Sequence, residues 1–409
     1  MRVLVVTPSL PYPPMWGFNI RVFNIVRHLS ARNRVSLLCY EGAHPDVQAM
    51  RTLGEICEHV FTVPDVERSI AERRLLQARA VMGPHSFHLH RYASAQMQAA
   101  LKRILSDGQY DLVQVESSAM ASFDFGSTPV VVDEHNLEYE LLRRSNAVES
   151  SPIRRAFAAN ECRKVEREEI ATWQTVKGCV LTSGREQAVV NRAAPNVVTA
   201  VVPNGVDLDY FQPAATPVTP GSIVFTGLMT YRPNADGVSY FIRRILPAIR
   251  ASQRDAALTA VGWGLPDDVR PLLGDGVSHT GRVEDIRPYL AQASVVVVPL
   301  RIGSGTRLKV LEAMAMAKAV VSTSVGCEGL EVSGGEHLLI ADDPSTFAAA
   351  VIRLLDNPAE AAALGRRGRA LVESRYGWDQ SVAELERFHN SLFDTRSNVT
   401  QPAQAVATR

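Results

Sequence analysis

SVVVVPLRIGSGTRLKVLEAMAMAKAVVST, Ser294 to Thr323, is an apolar run, a loop of small residues, two bases, and an apolar stretch with one carboxylate, Glu312. Ser294–Leu300 reads as a buried strand and Gly303–Thr306 as a tight loop. Arg307–Ala317 reads as a returning helix with Leu308, Leu311 and Ala315 toward a sheet. Strand, glycine loop and helix in that order make one unit of a parallel α/β sheet.

The unit recurs along the whole chain. RVLVV (2–6), RVSLLC (34–39), HVFTV (59–63), DLVQV (111–115), PVVVD (129–133) and GCVLTS (178–183) are apolar runs separated by stretches with helical periodicity. Their continuous apolar character means that both faces are covered, as in a sheet between helix layers. QPAATPVTPG after Phe211 then reads as a linker. The pattern resumes with SIVFTG (222–227), AALTAVG (256–262), VSHTG (277–281), SVVVVPL (294–300), AVVSTS (319–324) and HLLIA (337–341). Residues 1–205 and 222–377 are therefore expected to form two Rossmann-like, doubly wound domains facing across a cleft, with 206–221 between them. The segment 394–409 lacks aromatic or aliphatic periodicity and is expected to be disordered.

With 409 residues and 46% hydrophobic content, the chain is long enough for two cores. Its 43 basic and 43 acidic residues cancel, which removes any global field for nucleic acid. Cys39, Cys57, Cys162, Cys179 and Cys327 are odd in number and show no paired metal spacing, which suits a reducing cytoplasm. Met1 leads directly into a strand, and no apolar run approaches the ~20 residues that cross a bilayer, so neither secretion nor a membrane span is expected. Asn398-Val-Thr is then a sequon without a delivery route.

In open α/β sheets ligands bind beyond the carboxyl ends of the strands. Gly303 and Gly305 permit positive φ and close approach, and free N–H groups with the helix dipole favour an anion, so a phosphate is the expected guest of Gly303, Ser304, Gly305 and Thr306. Arg307 and Lys309 stand in the first turn, where their charge opposes the dipole unless an anion compensates it. Glu312 lies about 9 Å along the helix from Thr306, a reach that suits a carboxylate accepting from nucleotide sugar hydroxyls. On these residues alone, a ligand-free turn with a solvated Glu312 is the alternative.

KVLEAMAMAKAVVST (309–323) and VPNGVDLDYFQP (202–213) resemble the glycosyltransferases of the GT-B fold, specifically the retaining family 4 type with the group 1 carboxyl-terminal domain. AVGWGLP (260–266) and VESRYGWDQS (372–381) are similar to that family's short glycine turn and final crossover, implying a helix over about 378–393 that returns to the first domain. The resemblance covers nearly the whole chain. It implies transfer of a sugar from a nucleoside-diphosphate donor, bound mainly by the second domain, to a saccharide or lipid-linked acceptor, without a metal or other cofactor. It further implies that Glu312 bonds the donor ribose and that backbone amides of the loop ahead of it meet sugar and phosphates. Two departures stand out. The family's second acid, eight positions before Glu312, is Ser304 here, and the bases usual after the first strand of the second domain are replaced in GLMTYRPNADG (227–237), where Arg232 is the only base. A departing diphosphate needs positive charge, so Arg232, Arg307 and Lys309 are expected to supply it from altered positions.

The same resemblance places Gly17, at the start of the first helix, near the donor phosphates, and His135, in VVVDEHNLEYELLRR (130–144), near the reacting sugar. A capping or packing role is the alternative for His135. His85, His88 and His90 carry no expected carboxylate or cysteine partner and read as surface histidines rather than a metal site. Residues 1–110 hold 13 Lys or Arg against 8 Asp or Glu, including RSIAERRLLQAR (68–79), which as a helix would suit anionic lipid headgroups or simply solvent. A cytoplasmic enzyme at the inner face of the membrane, serving cell-surface polysaccharide or glycolipid assembly, is the setting that the family implies. A silent sugar-nucleotide binder, a hydrolase or an epimerase would share the donor pocket.

Overall fold

In a computed structural model of the chain, the described residues are 1–42, 46–65, 69–149, 151–267 and 269–394. Residues 395–409 with Asn398, and Arg68 at the head of the basic segment, lie outside them.

The apolar runs become two wholly parallel sheets. The first holds β1 (Arg2–Thr7), β2 (Arg34–Glu41), β3 (His59–Pro64), β4 (Leu112–Glu116), β5 (Val130–Glu134), β6 (Gly178–Leu181) and β7 (Val198–Val201), in the order β3-β2-β1-β4-β5-β6-β7. The second holds β8 (Ser222–Thr226), β9 (Ala257–Val261), β10 (Val277–His279), β11 (Val295–Val298), β12 (Val320–Ser322) and β13 (Leu339–Ile340), in the order β10-β9-β8-β11-β12-β13. Val5 lies between Leu37 and Gln114, and Val224 between Thr259 and Val296. Chain direction of travel reverses between β1 and β4 and between β8 and β11, and these switch points open the crevices where ligands bind. Strand β7 is absent from the sequence reading because it is a four-residue edge strand, partly exposed, with little apolar pattern of its own.

Helices that position the site are α1 (Gly17–Ser30), α2 (Ile70–Met82), α3 (Glu138–Ala147), α4 (Pro152–Thr175), α5 (Gly184–Ala193), α6 (Arg232–Tyr240), α7 (Leu308–Ala315) and α8 (Trp378–Ser391). Arg307 is the extended N-cap of α7 rather than its first turn, and the helix stops before Ala317, which takes φ 54°. Helix α3 starts with no side-chain cap of its own; Glu169 of α4 accepts from the Glu138 and Tyr139 amides at 2.8 and 3.0 Å instead. Burial pushes the Glu169 carboxyl well above its usual range, so this cap is held at an energetic cost.

Trp378, Val382, Leu385 and Phe388 of α8 join Val22, Ile25 and Val26 in the first-domain core. His28 to Asp379 at 2.7 Å and Asn33 to Glu386 at 2.7 Å edge that contact with polar bonds. Gly205 is needed beneath it, since a Cβ there would come 2.7 Å from the Trp378 ring. Leu308, the first residue of α7, packs into the same first-domain cluster, so second-domain chain is anchored where the two switch points meet. Among the described residues, no helix is long and apolar enough to cross a membrane.

Candidate functional site between the two domains

The first-domain wall is built from α1 and the carboxyl ends of β4 and β5. Trp16 caps α1 without a side-chain bond, so the first-turn amides Gly17 to Asn19 have no capping side chain, and the helical ladder begins with Ile20 N to Trp16 O at 2.9 Å. A Cβ on Gly17 would lie 3.6 Å from Leu308 Cδ1, which brings the start of α1 beside the start of α7. Phe18 stacks on His135 with ring centroids 4.4 Å apart. His135 follows β5 and is 8% exposed; its Nε2 is 2.7 Å from Glu116 Oε2, and its Nδ1 has no partner among the described residues. Asp133 accepts from Arg21 Nε at 3.0 Å and Nη2 at 2.8 Å, and Arg21 Nη1 reaches Val202 O and Asn204 Oδ1.

Burial and the neighbouring Asp133 push the Glu116 carboxyl upward, while His135 and Gln114 pull it back. Ligand atoms of Glu116, Asp133 and His135 lie within 4.8 Å of one another. A cation there would compete with Arg21 for Asp133 and with Gln114 for Glu116, whose Oε1 it holds at 2.8 Å. Sequence reasoning missed Glu116 and Arg21. The available signal was a polar pair, Gln114 and Glu116, inside an otherwise apolar strand that is buried throughout.

The loop Gly303–Thr306 is buried against this wall. Gly305 N–H donates to Glu186 Oε1 at 2.8 Å, and Ser304 Oγ donates to the same oxygen at 3.2 Å while accepting from Leu137 N at 2.9 Å. Asn204, in the VPNGVD segment, donates to Thr306 Oγ1 at 2.9 Å. Gly305 has φ 72° and an added Cβ would fall 2.2 Å from His135 O, so only glycine fits. Arg144 of α3 donates to Gly303 O and forks onto Glu328, which also meets Arg185 at 3.2 Å. Charged groups of both domains therefore lace the loop in place. The amide expected to receive a phosphate is engaged by Glu186, a first-domain carboxylate that sequence reasoning did not single out; burial raises its pKa, and hydrogen bonds from Thr182, Gly305 and Ser304 oppose the shift.

Arg307 differs most from its expected role. Its guanidinium turns back to donate to the Ser304 and Gly305 carbonyls, and to Val325 O at 3.4 Å, and is 9% exposed. It braces the loop from behind, because α7 begins only at Leu308 and leaves those carbonyls without helical partners. Lys309 Nζ donates to Asn234 Oδ1 at 2.6 Å and stands 4.2 Å over the Phe225 ring. Burial lowers the Lys309 ammonium to about 7 and raises Glu312, one turn along α7, to about 7, each partly relieved by the other.

Arg232 opens α6, and its guanidinium meets Ser145 O and Glu149 Oε2, both at 3.1 Å, on the first domain. Those bonds cross between the domains, and none of them reaches residues 303–309. The structure thus gathers Gly17, His135, Ser304, Gly305, Thr306, Arg307 and Lys309, with Glu312 farther down α7, and leaves Arg232 as a bridge to one side. His85 does have a carboxylate neighbour, contrary to expectation: Glu168 of α4 comes within 3.4 Å, a contact made by chain about eighty residues away. A cavity of about 690 Å³ lined by Phe123, Phe125, Lys177 and Phe393 sits at the amino ends of β5 and β6, the opposite end of the strands from this site.

Two parallel doubly wound sheets with a glycine loop buried between them, and a last helix returning to the first, are matched over nearly their full length by a solved sucrose-phosphate synthase from Thermosynechococcus elongatus. The likeness has a TM-score of 0.73 at 20% identity and covers 96% of this chain and 99% of that one. The chain has the GT-B fold. A second GT-B structure, Anabaena Alr3699/HepE in complex with UDP-glucose, matches with a TM-score of 0.65 at 15% identity over 96% of this chain and 99% of that one. Residues 220–357, the greater part of the second GT-B domain, match the family described as Glycosyl transferases group 1. A phosphatidyl-myo-inositol mannosyltransferase of Mycobacterium tuberculosis is 28% identical over 213 residues, 48% of this chain and 55% of that one. The chain spans about half the length of the curated relatives it matches.

Proposed function

We propose that this GT-B protein is a glycosyltransferase of the retaining family 4 type, moving a sugar from a nucleoside-diphosphate donor to a saccharide or lipid-linked acceptor. One observation carries the reading. Two helix starts without side-chain caps, at Gly17 and Leu308, meet across the domain boundary beside the glycine loop, with Lys309 in the first turn of α7. Converging N–H groups and a nearby ammonium suit a diphosphate, and they stabilise the charge that grows on its bridging oxygen as the bond to the sugar breaks. Glu312 then accepts from the ribose hydroxyls, and His135 lies on the first-domain side, where sugar and acceptor would meet. Positive charge comes from Lys309 and the helix ends, without a metal or other cofactor, while Arg307 shapes the loop. Arg232 contributes by joining the domains.

The setting that fits is cell-surface polysaccharide or glycolipid assembly, in the cytoplasm and at the inner face of the membrane. All five cysteines are free and buried, which suits a reducing compartment. Helix α2 carries Arg73, Arg74 and Arg79 together with exposed Ile70, Leu75, Val81 and Met82, a combination that can rest on anionic headgroups. The decisive test is donor turnover with UDP-glucose, UDP-N-acetylglucosamine and GDP-mannose, with and without a panel of glycolipid and oligosaccharide acceptors. Release of nucleoside diphosphate that depends on acceptor, with an anomerically retained product, is the expected result. Release without acceptor would make the protein a hydrolase, and binding without release a silent fold.

A further inference from the structure

His135 is held from three directions, and one of its two ring nitrogens is left without a partner among the described residues. Phe18 fixes the ring plane by stacking at 4.4 Å. Glu116 Oε2 takes Nε2 at 2.7 Å, and its other oxygen is itself held by Gln114 Nε2 at 2.8 Å, so both carboxylate oxygens are engaged. Asp133, 3.9 Å from Nε2, is occupied by the two-pronged bond from Arg21. Among the described residues Nδ1 is buried and unpartnered, in a segment whose backbone touches Gly305 and whose next-but-one amide bonds Ser304.

A buried polar atom without a partner costs about 1–3 kcal/mol, and a fully buried carboxylate such as Glu116 adds its own desolvation cost. A packing role for this pair would be met at lower cost by apolar side chains of similar size. The arrangement makes physical sense if Nδ1 is kept free for a ligand and Glu116 is there to keep it so.

We propose that Glu116 is a positioning residue for His135: by accepting from Nε2 it fixes the ring's orientation and tautomer, and commits Nδ1 as the atom offered to a hydroxyl of the bound sugar or acceptor. The proposal rests on the glycosyltransferase reading of the site. Glu116 itself touches no substrate; its effect passes through the imidazole, as in other carboxylate–histidine pairs whose second partner sets the tautomer of the first.

The test combines kinetics with nitrogen NMR. Nucleoside diphosphate release is measured for wild type, Glu116→Gln, His135→Asn and the double variant, using whichever of UDP-glucose, UDP-N-acetylglucosamine or GDP-mannose the wild type turns over. Glu116→Gln is expected to lower kcat roughly tenfold to a hundredfold, the range typical of lost outer-shell partners, with the donor KM changed less than about threefold. The double variant is expected to be no slower than His135→Asn alone, because the two residues act as one unit. In ¹⁵N-histidine spectra of the wild type, the signal that vanishes in His135→Asn should show a proton on Nε2. A bare Nε2, a wild-type kcat in Glu116→Gln, or losses that multiply in the double variant would each overturn the proposal. Should the wild type turn over none of the donors, the glycosyltransferase reading fails by itself, and the Nε2 proton still decides whether Glu116 sets the ring.

Discussion

Replacing Lys309 by Met removes the ammonium while keeping most of the stem that crosses the Phe225 ring. The bond to Asn234 Oδ1 is lost, but so is the cost of burying an amine whose pKa burial has already lowered to about 7. Those two effects oppose each other, so the melting temperature should fall little. Binding of an anion is another matter. A hydrogen bond to a charged partner contributes about 1.5–3 kcal/mol, which corresponds to a loss of roughly 10- to 150-fold in affinity for a nucleoside diphosphate. The pH dependence gives the prediction a second edge. A diphosphate prefers Lys309 protonated, and its ammonium is lowered to about 7, so loss of that proton weakens binding as pH rises. Isothermal titration with UDP and GDP at pH 6, 7 and 8 should show wild-type affinity falling above 7, by up to about tenfold per pH unit for the one proton that must be taken up. Lys309→Met should bind weakly throughout and show a shallower fall. If the variant binds within twofold of wild type and with the same pH slope, the ammonium does not meet the diphosphate and the assignment of the α7 tip is wrong.

Gly305→Ala places a Cβ 2.2 Å from His135 O at a φ of 72°, so the loop must leave the first-domain wall. Nucleotide affinity should drop more than tenfold while far-UV circular dichroism is unchanged, since the cost of about 1–2 kcal/mol for left-handed backbone falls on one loop. Arg21→Ala leaves Asp133 buried and unpaired, and urea unfolding should show a loss of about 3–5 kcal/mol, far above a surface pair's. Arg73, Arg74 and Arg79 changed together to Glu should abolish low-salt binding to phosphatidylglycerol vesicles; equal binding by the variant, or none by the wild type, removes the membrane role of α2.

The residues that announce the fold do so locally. Val295–Val298 is buried on both faces, and a run of four valines flanked by a glycine loop has few other stable placements, which is why twelve strands of two sheets could be read directly from apolar runs. The positive φ of Gly305 and the uncapped start of α7 were legible for the same reason, since both follow from neighbours in sequence, whereas the engagement of the Gly305 amide by Glu186 was not. Edge strand β7 escaped because a partly exposed strand does not need a continuous apolar run.

What only the tertiary structure decided is who meets those local groups. Ser304, read as a missing acid, lies 3.2 Å from Glu186, a carboxylate 118 positions earlier in the chain. Arg307, read as a base awaiting an anion, spends its donors on carbonyls of its own loop. Arg232 reaches back to α3 and Glu149, and His135 depends on Glu116 from the neighbouring strand. Periodicity and glycine placement are properties of a few adjacent residues, and the sequence by itself determined the two sheets, their loops and the helix that carries Lys309 and Glu312. The pairing of charges across the domain boundary is set by distances that exist only once both domains have folded and closed on each other, and burial there shifts even the protonation of the groups that the sequence names.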